Sequence, residues 1–216
     1  MGENKVLIAI DGPAASGKTT VARRLAQHFG FVLVESGAYY RFMAWGVLRE
    51  GVSLSNVQQI EALSHTLSIE ADFEGGALRL MTDGKWLDGE LRSSEVSSAV
   101  ADVAAIPAVR ARVTAELHRA AERCDCVVEG RDIGSAVFPE TPYKIYLDAP
   151  LHVRQQRRNA EGAQDAIAVR DRKDASRAVA PLIAADDAIR IEVGERTIEQ
   201  VVEAALAALE SRGLKL

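Results

Sequence analysis

Eight consecutive residues, Gly12-Pro13-Ala14-Ala15-Ser16-Gly17-Lys18-Thr19, satisfy the pattern G-x-x-x-x-G-K-[ST] and restrict the fold more than any other stretch of the chain. By average residue usage such a match arises by chance in roughly 1% of chains of this length. The pattern has physical meaning only between a buried strand and a helix, and its flanks supply both. Residues 5–10 (KVLIAI) form a short β-branched run that suits a strand buried on both faces and ending at Asp11-Gly12. From residue 18 onward Val21, Ala22, Leu25, Ala26 and Phe29 recur at helical spacing, which predicts a helix over 18–29.

Glycines at both ends of the loop let successive backbone N–H groups turn inward around phosphate oxygens, and the helix N-terminus adds a favourable dipole. The expectation is a P-loop that seats ATP on Gly12, Pro13, Ala14, Ala15, Ser16, Gly17, Lys18, Thr19 and Thr20. Lys18 would place a point charge on the β and γ phosphates. Thr19 would offer its hydroxyl to Mg²⁺, an ion that needs few protein ligands. The bland alternative is an ordinary helix-opening glycine turn.

The rhythm of apolar run followed by helix returns at residues 31–34, 126–128, 144–147 and 188–191. It predicts an α/β, three-layer fold on a five-stranded parallel sheet. A closing helix is expected over 198–209, where Ile198, Val201, Val202, Ala205, Leu206 and Leu209 share one stripe. Between residues 67 and 90 the period changes to two, broken by the turn signals GG and DG, which predicts a small antiparallel insert. Helical segments flank it at 57–67 and 95–105, and Pro107 opens another that runs through His118. The expected division is a core of 1–55 and 106–216, a substrate-binding subdomain inserted at 56–105, and a lid at about 154–177.

A formal net charge of -5 over 216 residues argues against a nucleic acid polymer as partner. Residues 154–177 depart from that balance, with seven Lys/Arg against four Asp/Glu, which suits a small anionic ligand. Cys124 and Cys126, the only cysteines, read as reduced core residues on one face of a strand, and the four histidines have no ligand spacing. No run of about 18 apolar residues and no signal-like leader is present, so the sequence reads as cytoplasmic, with no membrane partner and a monomer as the default.

A phosphate cradle alone serves kinases, GTPases and motor ATPases. Arg41, Arg110, Arg131, Arg170 and Arg177 stand in separate small-residue or turn-like segments, as expected if their planar forks converge on a second anion. The basic tract at 154–177 is placed to close over a transferring phosphoryl group. No N-K-x-D guanine-reading sequence occurs. These features favour a kinase. The rivals are a P-loop kinase that phosphorylates a small hydroxyl, shikimate- or gluconate-like with Asp132 as base, and a non-catalytic nucleotide-dependent switch.

The segments IDGPAASGKTT, ESGAYYR, VAAIPAVR, VEGRDIGSAVFP, KIYLDA and RDRKDASRAVAPL stand in the order and spacing of the bacterial cytidylate kinases, which the chain resembles over nearly its whole length. The resemblance implies a nucleoside monophosphate kinase that converts ATP and CMP or dCMP to ADP and CDP or dCDP. It further implies that Ser36 and Arg41 bind the acceptor, with Arg41 on its phosphate, and that Arg110 and Asp132 read the cytosine edge. Arg131 would assist the acceptor phosphate. Arg170 and Asp174 would contact the pentose, and Arg177 a phosphate or sugar. Arg154, Arg157 and Arg158 would be lid arginines, with Arg157 on the nucleotide donor. Together with Lys18, the residues Arg131, Arg154, Arg158 and Arg177 would form the catalytic set. The sequence departs from the family pattern at Ala101, where a serine commonly touches the base. It departs also in a short stretch between Arg158 and Arg170, and in IEVGE after the last strand.

Overall fold

The structure, a computed structural model, describes residues 5–160 and 182–215. Five strands form one parallel sheet: β1 (Leu7–Asp11), β2 (Val32–Glu35), β6 (Cys126–Gly130), β7 (Tyr143–Asp148) and β8 (Ile189–Glu192), in the order β2-β6-β1-β7-β8. Alternation along each strand sends successive side chains to opposite faces. Leu7 and Ala9 of β1 enter one apolar cluster, and Ile8 and Ile10 enter the other.

The first cluster is closed by α2 (Ser36–Arg49), α3 (Val57–Thr66), α4 (Ser94–Val103) and α5 (Pro107–Arg123). The second is closed by α1 (Lys18–Phe29) and α7 (Ile198–Ser211). Three layers follow, helices, sheet and helices, as the sequence predicts. The helix ends are specified locally: Asn56 and Ser93 cap α3 and α4, Pro107 opens α5, and Thr197 with Gln200 forms a capping box on α7. A further helix, α6 (Leu151–Ala160), follows β7. Among the described residues no helix is long and apolar enough to cross a membrane.

The alternating stretch folds as a three-stranded antiparallel sheet of β3 (Glu70–Asp72), β4 (Arg79–Thr82) and β5 (Lys85–Trp86). Asp83 and Gly84 both have positive φ, 49° and 73°, as a two-residue hairpin turn with the right twist demands. This small sheet has no separate interior, because Leu80, Leu87 and Leu91 join the cluster under α2 and α4. It also touches the main sheet: Leu33 N donates to Gly76 O at 2.9 Å, and Leu78 N donates to Leu33 O at 2.8 Å.

The cysteine pair differs from expectation. Cys126 starts β6, while Cys124 is the residue that ends α5, so the two are not in one strand. Cys124 Sγ donates to Ala120 O at 3.5 Å, and the two neighbouring thiols push each other apart in acidity, that of Cys124 down to about 7 and that of the more deeply buried Cys126 up.

Strand order reverses beside β1, with β2 and β7 reached on opposite sides, so the crevice at the C-terminal edge of the sheet opens where β1 ends. Gly12 makes the turn there at φ 151°, and a Cβ on it would meet Leu147 O of β7 at 2.2 Å. Gly12→Ala should therefore cost about 1–3 kcal/mol in urea unfolding. Gly89→Ala, at φ -83° with open space around it, should be neutral or stabilising by up to about 1 kcal/mol.

Candidate functional site

Strand alternation decides which polar residues reach the crevice and on which side. In β6, Cys126 and Val128 point toward α2 and α5, so Val127 and Glu129 point toward α1. Glu129 accordingly reaches the first turn of α1, where Thr19 Oγ1 donates to its Oε1 at 3.3 Å. By the same parity Leu33 and Glu35 of β2 face α1, and Glu35 lies 3.9 Å from Arg23 and 3.7 Å from Arg92. Burial, and then the Glu129 charge, push the Glu35 carboxyl upward. Asp11, on the same side as Leu7 and Ala9, meets the turn that follows β6.

These strand ends, the glycine loop and the small sheet surround a cleft of about 740 Å³. Lys18, Thr19, Ser36, Arg41, Arg131 and Asp132 all line it. On the loop side, α1 opens on Gly17 in a left-handed conformation (φ 92°) with no side-chain cap, so its first-turn N–H groups face the loop as an anion seat. Lys18 Nζ donates to Pro13 O at 2.7 Å across the loop it closes. Arg131 Nη1 donates to Gly12 O at 2.8 Å. Arg154 Nη1 donates to Ala14 O at 3.2 Å and Arg157 Nη1 to Ser16 O at 3.4 Å, so both guanidinium groups sit on the loop's outer carbonyls.

Across the cleft, Arg110 and Asp132 form a buried, hydrogen-bonded ion pair, each residue only 4% exposed. The Arg110 guanidinium also lies 5.4 Å from the centre of the Tyr40 ring, and Tyr40 lines the cleft. Arg41 Nη1 donates to Ser97 Oγ at 3.2 Å, joining α2 to α4, and Ala101 lines the wall one turn further along α4. A fixed guanidinium and carboxylate beside an aromatic face make a polar wall able to read the edge of a planar ligand.

Of the expected residues, Ala14, Ala15, Lys18, Thr19, Ser36, Arg41, Arg131 and Asp132 line the cleft, while Gly12, Pro13, Ser16, Gly17, Thr20 and Arg110 are not part of its lining, Arg110 standing behind it through its pair with Asp132. Arg170, Asp174 and Arg177 lie outside the described residues, as does the side chain of Arg158, whose backbone belongs to α6. Three carboxylates escaped the sequence reading: Asp11, Glu35 and Glu129. Each is the last or next-to-last residue of an apolar strand run, and that position was the available signal.

Among the described residues no group of three His, Cys, Asp or Glu could hold a metal. The loop nonetheless suits a hard cation that brings most of its ligands on phosphate and water. Thr19 presents a hydroxyl beside the Glu129 carboxylate, and Ser16 Oγ is buried with no hydrogen-bond partner among the described residues. Oxygen donors of this kind fit Mg²⁺.

The family model described as Cytidylate kinase matches residues 8–211. A cytidylate kinase from Limosilactobacillus fermentum is 38% identical over 210 residues, covering 92% of each chain. One from Pseudomonas savastanoi pv. phaseolicola is 38% identical over 221 residues, covering 96% of each. One from Azotobacter vinelandii is 36% identical over 227 residues, covering 99% of each.

Burial pushes the Asp11 carboxyl up to about 7, against the pull of the Gly134 and Ile133 amides and with a smaller push from Asp132. The folded chain therefore holds this proton to about pH 7, while the unfolded chain releases it near 3.8. Between those values the folded state binds more protons, so this group's contribution to stability falls as pH rises from about 4 to about 7 and is level beyond. Asp11→Asn cannot titrate. Its stability relative to wild type should rise by roughly 2–3 kcal/mol between pH 5 and pH 8, most of it below pH 7, in paired urea titrations at pH 5, 6, 7 and 8.

Proposed function

The chain belongs to the cytidylate kinase family, and on that premise we propose that it transfers the γ-phosphoryl group of ATP to CMP or dCMP, giving ADP and CDP or dCDP. The observation that carries this reading is the shared cleft, with Lys18 on one side and Arg41, Arg131 and Asp132 on the other.

A nucleotide phosphate has its second pKa near 6 and is largely a dianion at neutral pH. Attack on the γ-phosphorus then needs no general base, and catalysis consists of placing two anions in line and neutralising the charge that spreads over the equatorial oxygens. In this reading the backbone N–H groups of the loop and Lys18 hold the β and γ phosphates. Thr19, with Glu129 behind it, would hold Mg²⁺, which supplies further charge neutralisation to those phosphates. Arg41 and Arg131 take the acceptor phosphate, with Ser36 beside them.

The Arg110–Asp132 pair reads the cytosine edge. Asp132 accepts from the exocyclic amine, and its ion pair with Arg110 holds it in place. The Arg154 and Arg157 positions, already on the loop carbonyls, suit charge stabilisation and donor binding, with Arg158 assigned to the same task. Arg170, Asp174 and Arg177 are assigned to the pentose and phosphates by the sequence resemblance alone. Residues 56–105 serve as the acceptor-binding subdomain, because Leu87 and Leu91 bring that segment to the cleft wall. Ala101 removes one hydroxyl from the base side, so cytosine selection falls to Arg110 and Asp132. Both sides of the cleft come from one chain, which supports a monomer as the working unit, and its nucleotide substrates suit a cytoplasmic location.

A coupled ADP assay across a panel of nucleoside monophosphates tests the reading. ADP release should depend on added CMP or dCMP. ADP formed only with a sugar-like alcohol, or without any acceptor, would sink it. Lys18→Ala should lower kcat by roughly 10²–10³-fold. Arg110→Ala should mainly raise KM for CMP, by roughly tenfold or more, and leave KM for ATP nearly unchanged.

A further inference from the structure

Asp11 occupies a position where the apolar cluster under α2 and α5 would accept a leucine or alanine, as it does at residues 7 and 9. The position holds a carboxylate that is only 4% exposed. Burying a charge is costly unless its oxygens are engaged, and here both are. Ile133 N donates to Oδ1 and Gly134 N donates to Oδ2, each at 2.7 Å.

The two donors open a short π-type turn, Ile133–Val137, whose own bonds begin only at Ala136, Val137 and Phe138. The first amides of such a turn have no acceptor within it. Asp11 supplies one to each. The residues immediately before the turn are Arg131 and Asp132, and Arg131 in turn donates to Gly12 O at 2.8 Å. Three hydrogen bonds therefore fasten residues 131–134 to residues 11 and 12, the point where the phosphate loop leaves β1.

We infer that Asp11 is a positioning residue for the acceptor side of the cleft: its carboxylate, gripping the Ile133 and Gly134 amides, sets where Arg131 and Asp132 stand relative to the phosphate loop. Resting on the function proposed above, the inference gives Asp11 an effect on how CMP is held and recognised, and little effect on how ATP is held. A single buried fork thereby links donor and acceptor halves that come from different strands.

Among the described residues, the charged and titratable groups facing this carboxylate are few. Lys18 approaches from α1, Asp132 from the turn and Tyr146 from β7, while the Lys144 stem lies beside Gly134 and its ammonium goes to Pro139 O and Asp187. Ionised, Asp11 accepts from both amides at full strength; protonated, one of its oxygens becomes a donor and that grip weakens.

Steady-state kinetics of Asp11→Asn and Asp11→Ser beside wild type, with CMP and UMP as acceptors, test the inference. In a variant that unfolds cooperatively, KM for CMP should rise roughly tenfold, the scale of one charge-assisted hydrogen bond. KM for ATP should stay within about twofold, and the CMP-over-UMP ratio of kcat/KM should fall. Unchanged CMP kinetics, or equal increases in both KM values, would overturn it. Should neither variant fold, ¹⁵N spectra of the wild type decide. The Ile133 and Gly134 amides and the Arg131 and Arg110 side-chain Nε–H signals should titrate with one midpoint, whereas arginine signals that ignore the amide titration would overturn the inference. A wild type indifferent to CMP in the same assay would remove the functional premise, and the inference with it.

Discussion

Both faces of the parallel sheet are packed, so along β1, β2 and β6 the positions left for polar side chains are at the C-terminal edge, where the covering helices diverge. Everything in the cleft follows from that restriction and from the parity of the strands. Glu35 and Glu129 fall on the α1 side and stand behind the phosphate loop. Asp11, Ser36 and Asp132 fall on the side of α2 and α5, where the second polar wall is built. A register slip of one residue would exchange these two sets and dismantle the cleft along with the helix packing on both faces.

Electrostatics inside the cleft are arranged as fixed pairs. Arg110 and Asp132 are desolvated together, an arrangement that contributes little to folding compared with a well-packed apolar pair but holds its geometry tightly. The guanidinium groups of Arg131, Arg154 and Arg157 rest on carbonyls of the loop at Gly12, Ala14 and Ser16. Three cations thus surround a loop whose inner amides already favour anions, so the loop's field is shaped from outside as well as within.

The parallel core was legible in the sequence because each of its strands is a dense apolar run, and the loop because its chemistry fixes residue types at fixed spacing. The helix Ser36–Arg49 was expected only as the unbounded helix that follows the run at 31–34, because glycines at 37 and 46 and a run of aromatic residues blur its period. The small sheet was legible from its turns rather than its strands, which are two to four residues long. Asp11, Glu35 and Glu129 read as strand ends because alternation reveals a side only when the partner strands are known. Arg41, Arg110 and Arg131 were singled out by the small-residue and turn-like segments that carry them, but their separate roles came only from family resemblance, since an isolated arginine does not show which ligand it meets.

The backbone link between Leu33 and the 76–78 segment has a further consequence. β2 is an outer strand of the parallel sheet, and an outer strand presents unpaired N–H and C=O groups that invite another chain to add to it. Two of those groups are already satisfied by Gly76 and Leu78. The same excursion that walls the cleft therefore shields a sticky border, and a shortened relative lacking it would face self-association through β2.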